Sequence, residues 1–127
     1  GDAFEVLKHT KNIYFDFSAN TSDFAMQKMI EAIGVDRIMF GTDMPFTKMR
    51  MYRIEENGTY VNVVPRGLYG GIEGDVHMKE SDESEITTFV YEELRALKRA
   101  CERLGLTKED VNKLMYENAS KYFDIQL

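Results

Sequence analysis

The apolar positions change period several times along this chain. Residues 3–11, apolar at Ala3, Phe4, Val6 and Leu7, read as the end of a helix. Asn12 to Ser18 alternates, as a strand does. One of its faces carries Ile13, Phe15 and Phe17, the other Tyr14, Asp16 and Ser18. Asn20-Thr21-Ser22 is a turn suited to capping a helix over Asp23 to Ile33. There Phe24, Met26, Met29, Ile30 and Ile33 fall near helical spacing, and Gly34 ends the element. Arg37 to Thr42 is short and almost uninterrupted in apolar character, the pattern of a buried parallel strand. It runs into Asp43-Met44-Pro45, where the proline stops it.

After Phe46 the texture becomes polar and glycine-rich up to residue 85. Within that stretch, residues 51–56 and 59–64 are β-type runs joined by Asn57-Gly58, a strong hairpin signal. Pro65 to Gly74 reads as a loop and Ser81 to Glu85 as an acidic linker. A long helix follows, with Ile86, Val90, Leu94, Leu97, Cys101 and Leu104 on one stripe and Gly105 as its stop. Thr107 to Asp110 resembles a capping box opening a last helix, apolar at Val111, Leu114, Met115, Ala119 and Phe123. Helices alternating with short apolar strands predict an α/β fold. The expected organisation is a single domain over 1–127 with an insertion at 48–85.

Strand parity adds direction. Met39, Gly41 and Asp43 share one face, while Ile38 and Phe40 point toward helices. A barrel turns one strand face into its interior, so Asp16, Ser18 and Asp43 are expected there, with Ser18 and Asp43 nearest the mouth. Ligands of α/β folds sit at that C-terminal end. A long segment leaving the same end is more often functional than idle.

Charge narrows the partners. The 127 residues carry a formal net charge of -6, which argues against nucleic acid. No stretch approaches the ~20 apolar residues of a membrane span. The single cysteine, Cys101, excludes an internal disulfide and suits a reducing compartment, so a cytoplasmic protein is expected. The chain starts at glycine, which is read as a processing scar or a start inside a longer protein.

The strand 12–18, the helix after it, the run Gly34 to Phe46 with Gly41-Thr42-Asp43-Met44-Pro45, and the tail with Glu117-Asn118-Ala119 together resemble one family. It is the amidohydrolase-related metal-dependent hydrolases, which include aminocarboxymuconate-semialdehyde decarboxylase. The resemblance covers residues 1–47 and 86–125. It implies the C-terminal portion of a (β/α)8 barrel, strands seven and eight with flanking helices, plus a β-hairpin insertion after the last strand. It also implies that Asp43 is a metal ligand and the catalytic proton-transfer carboxylate of the intact enzyme. The family's remaining ligands are histidines, including a His-x-His pair that this sequence lacks. Zinc or manganese is the implied cofactor, with none expected to be held by this chain alone. The implied reaction is hydrolysis, with decarboxylation as the alternative within the family. A non-catalytic binding module is the alternative outside it.

From spacing alone, Asp43 serves equally as a turn residue before Pro45. Asp16 and Ser18 read as strand-end caps or interior hydrogen-bonding groups. Arg50, Arg53 and Arg66 on or near the hairpin are candidate substrate-binding residues, because arginine grips carboxylates bidentately. As exposed hairpin charges they would do little. His77, in the long segment, is either a substrate contact or a solvated loop residue. A small-molecule substrate, often a carboxylate in this family, is the expected partner. Two parallel strands leave open edges, so the chain by itself is expected to be a homo-oligomer.

Overall fold

The computed structural model describes residues 3–82 and 86–126. Helix α1 spans Ala3–Leu7, and a two-residue strand β1, Phe15–Asp16, follows. Helix α2 covers Asp23–Ile33, with Ser22 as its N-cap accepting the Ala25 amide and Gly34 closing it at φ 79°. Strand β2, Ile38–Met39, lies parallel to β1 with Phe15 opposite Ile38 and Asp16 opposite Met39. Both strands are shorter than the alternation of 12–18 and 37–42 predicts. Ile13 and Tyr14 are exposed, and a 3-10 turn takes Val35–Arg37.

Residues 48–82 hold more structure than their composition suggests. Strands β3 (Tyr52–Glu56) and β4 (Thr59–Pro65) form the expected hairpin, with Glu56 opposite Thr59. Asn57 and Gly58 both take positive φ, 53° and 76°, as a type I′ turn requires. A third strand, β5 (Met78–Ser81), pairs parallel with β4. Ser81 therefore belongs to a sheet and not to a linker, and residues 83–85 lie outside the described set. The segment returns to where it left. Arg50 bridges Thr88, and the Phe89 amide donates to the Met49 carbonyl at 2.7 Å.

Helix α3 runs Phe89–Leu104, starting later than expected because Ile86 is buried ahead of it. Its buried face is also rotated from the expected stripe. Phe89, Glu92, Glu93, Ala96, Leu97, Ala100 and Cys101 are buried, while Leu94 is 36% exposed. Small Ala96 and Ala100 let α2 approach, and Asp23 on α2 bonds Arg99 (2.7 Å) and Arg103 (3.0 Å) across the pair. Partial burial pushes the Asp23 carboxyl up, but those two arginines outweigh it and hold it below its usual range.

The last helix is α4 (Lys108–Asn112), a π-helical turn at Lys113–Glu117, and α5 (Asn118–Tyr122). The Thr107–Asp110 capping box opens it as expected. Leu114 is buried, but Met115 and Phe123 are exposed, which corrects the predicted apolar side. The π turn has a use. The Asn118 amide reaches back to the Lys113 carbonyl, which leaves the Leu114 carbonyl for the Phe40 amide at 2.8 Å. The Asn118 side chain donates to the carbonyls of Val35 (2.7 Å) and Ile38 (2.8 Å). The edge of β2 away from β1 is thus filled by this helix.

One core joins Phe17 and Ile38 to Met26 and Ile30 of α2, Ala96, Leu97, Ala100 and Cys101 of α3, and Leu114. Met51, Val64 and Phe89 form a second cluster. The chain is α/β with two small sheets. Among the described residues the parallel sheet has two strands and does not close. No described helix is long and apolar enough to cross a membrane.

Candidate functional site

On the polar face of the parallel pair, Asp16 and Ser18 are exposed. Asp16, Ser18 and Gly41 meet there as parity predicts. A Cβ added to Gly41 would lie 2.2 Å from the Ser18 hydroxyl oxygen and 3.9 Å from Asp16 Oδ1. The missing Cβ at 41 thus leaves room for the Ser18 hydroxyl, which a larger residue would turn aside. Asp16 Oδ1 accepts the Ser18 amide at 2.8 Å, so this carboxylate ties the strand end.

Asp43 follows Gly41 and Thr42 at φ 51°, a left-handed conformation that aspartate tolerates better than most residues. The next peptide, Met44–Pro45, is cis. Buried Thr47 donates its hydroxyl to the Thr42 carbonyl at 2.5 Å, and the Met44 amide reaches the Thr42 hydroxyl at 3.4 Å. Thr42 and Thr47 therefore hold the turn. The Asp43 carboxylate is exposed and has no hydrogen-bond partner among the described residues.

Asp43 lines a small cavity of about 170 Å³ with Phe46, Met49, Met51, Phe89 and Arg53. Arg53 is carried there by β3. Its amide donates to buried Thr21 in the β1–α2 turn at 2.6 Å, and its Nε donates to Asn62 Oδ1 on β4 at 2.9 Å. The guanidinium stacks 4.9 Å from the Tyr60 ring centre. Of the expected substrate-binding residues, Arg53 shares the cavity that Asp43 lines.

The other three do structural work elsewhere. Arg50 Nε donates to the Ile86 carbonyl at 2.8 Å. Arg66 is exposed and pairs with Asp82 and Glu80 at the end of β4 and β5. His77 stacks on Tyr60 at 4.6 Å and its Nδ1 lies 3.0 Å from the Tyr60 carbonyl oxygen.

Glu93 of α3 is a site residue that sequence reading missed. It is 0% exposed, and its Oε1 accepts the Asn20 amide at 3.2 Å. Its Oε2 is buried without a hydrogen-bond partner among the described residues. Burial pushes its carboxyl up to about 7, the Asn20 amide pulls the other way, and the charges of Asp16 and Asp43 add to the rise. A signal was present: Phe89, Glu93, Ala96 and Ala100 share helical spacing, and that stripe is the buried one.

This donor set does not complete a metal centre. Among the described residues no three of His, Cys, Asp and Glu come together as ligands. A zinc site draws about three or four ligands from the protein, and Asp43 could supply one at most. Comparison with family models, with curated proteins and with solved structures finds no match for this chain.

Proposed function

We propose that this chain is the C-terminal part of a metal-dependent hydrolase of the amidohydrolase-related superfamily, acting on a small carboxylate-bearing molecule. The observation that carries the reading is the shared cavity of Asp43 and Arg53 at the C-terminal end of β2. Asp43 would be one ligand of a zinc or manganese ion whose other ligands come from outside the described residues. Such an ion supplies Lewis acidity when bound.

Within this chain the roles divide. The Arg53 fork would hold the substrate carboxylate through paired N–H donors. Asp43, unpartnered and held by Thr42 and Thr47, would take a proton from the attacking water and return it to the leaving atom. Glu93 stays behind them, fixing the β1–α2 turn through Asn20. Decarboxylation is the second reading, favoured by an arginine standing in the Asp43 cavity itself. Taken alone, the chain would associate with a second copy through the open edge of β1.

In protein made from the uninterrupted reading frame, Asp43→Asn should lower turnover by at least about 100-fold. It should also lower bound zinc or manganese. Release of titratable acid from ester or lactone substrates would mark hydrolysis, and release of carbon dioxide would mark decarboxylation. Wild-type turnover in Asp43→Asn would overturn the reading.

A further inference from the structure

A second cleft, of about 560 Å³, opens between the hairpin and α2. Arg53 borders both this cleft and the smaller cavity, whereas Asp43 borders only the smaller one. The volume falls within the roughly 300–1,000 Å³ of small-molecule sites. Its apolar walls are Phe4, Phe24, Ile54 and Tyr60. Hydrophobic walls with a few placed polar groups are the usual make-up of a ligand site.

The charges on the wall are unequal in what they leave free. Lys28 is already bonded to Glu31 at 2.9 Å and lies over the Phe24 ring. Arg66, Arg95, Arg99 and Arg103 each pair with a carboxylate, and Arg37 and Arg50 donate to backbone carbonyls. Arg53 alone among the arginines of the described residues bonds neither a carboxylate nor a backbone carbonyl there: its Nε donates to the Asn62 amide oxygen. Tyr60 beneath the guanidinium and Asn62 beside it hold the fork in place. A carboxylate is the ligand group that matches such a fork. Glu55, also on the wall, carries the opposite sign and disfavours a second negative charge.

We propose that this cleft binds a monocarboxylate with an apolar, ring-bearing body, its carboxylate on the Arg53 guanidinium and its body against Phe24, Ile54 and Tyr60. The proposal needs no metal and does not rest on the reading of Asp43; because Arg53 borders both cavities, a carboxylate held here excludes one held beside Asp43.

The test is calorimetric titration of the 127-residue chain with 4-phenylbutyrate in buffer containing a chelator. The uncharged counterpart, 4-phenyl-1-butanol, is titrated in parallel. The acid should bind one to one with a Kd of about 1 mM or tighter, the range a dozen-atom ligand reaches. The alcohol should bind about tenfold more weakly. Arg53→Met should bring the acid down to the alcohol's level and leave the alcohol unchanged. Phe24→Ser, at a half-exposed position that leaves the core intact, should weaken both ligands and so keeps the proposal testable if Arg53→Met does not fold. Asp43→Asn should change neither. Equal binding of acid and alcohol, no binding of either, or loss of the acid in Asp43→Asn would each overturn the proposal. Full turnover in Asp43→Asn would overturn the catalytic reading and leave this result standing.

Discussion

Glu93 shows how one side chain can set a pH dependence. Its folded pKa lies at about 7, above the 4.5 of a free glutamate. A carboxyl with a raised folded pKa holds its proton in the native state after the unfolded chain has lost its own. Stability therefore falls as pH rises from about 4.5 to about 7 and then levels. Glu93→Gln keeps an oxygen for the Asn20 amide and removes the ionisation. It should raise stability at pH 7.5 by about 1–3 kcal/mol and change little at pH 4, as urea unfolding at the two values would read. Equal effects at both would refute the assignment. The helical spacing that marks Glu93 was masked in the sequence, because Glu92-Glu93 looks like a solvated pair and because Leu94 and Val90 offered a more apolar stripe one step round the helix. Asp16, Ser18 and Gly41 were legible, since a strand's period of two leaves a single choice of face. Which arginine shares the cavity of Asp43 was not legible, since it depends on how the hairpin folds back over the β1–α2 turn through Thr21.

At the scale of elements, the tie between the last helix and β2 carries the most weight. Asn118 satisfies two carbonyls, at Val35 and Ile38, one of the bonds being fully buried. Asn118→Leu would leave both acceptors without their donor and should cost about 2–4 kcal/mol in urea unfolding. A loss below about 0.5 kcal/mol would mean that the tie is incidental. The hairpin was readable because Asn57-Gly58 is a turn with a mechanism. β5 was not, because Met78-Lys79-Glu80-Ser81 has no apolar alternation. Its pairing rests on backbone bonds and on charges such as Lys79–Glu56 at 3.0 Å. The π turn left no sequence mark either, since its cause is the carbonyl that Phe40 requires. Composition marked the change of texture after Phe46 but concealed that the ends of the segment meet at Met49 and Phe89.

At the scale of the whole molecule, the two strands read as barrel strands are covered by helices on one face and open on the other. Their two edges are unlike. Leu114 and Asn118 occupy the edge of β2, while among the described residues nothing pairs with the outer edge of β1 at Tyr14 and Asp16. The net charge of -6 favours dispersal, so association should need the directional bonds of that edge. Sedimentation at rising concentration should show growth from monomer to dimer and then a plateau. Continued growth to larger species, or a monomer throughout, would speak against pairing through β1. The plateau has a geometric reason. Two copies joined by a two-fold axis through β1 meet as antiparallel strands, and each then turns outward a margin that its own C-terminal helix has sealed. A sheet with one adhesive margin per copy is self-terminating, so pairing through β1 would stop at two copies. The kink at Lys113–Glu117, which first served to hold Phe40, would therefore also cap any assembly built through this sheet.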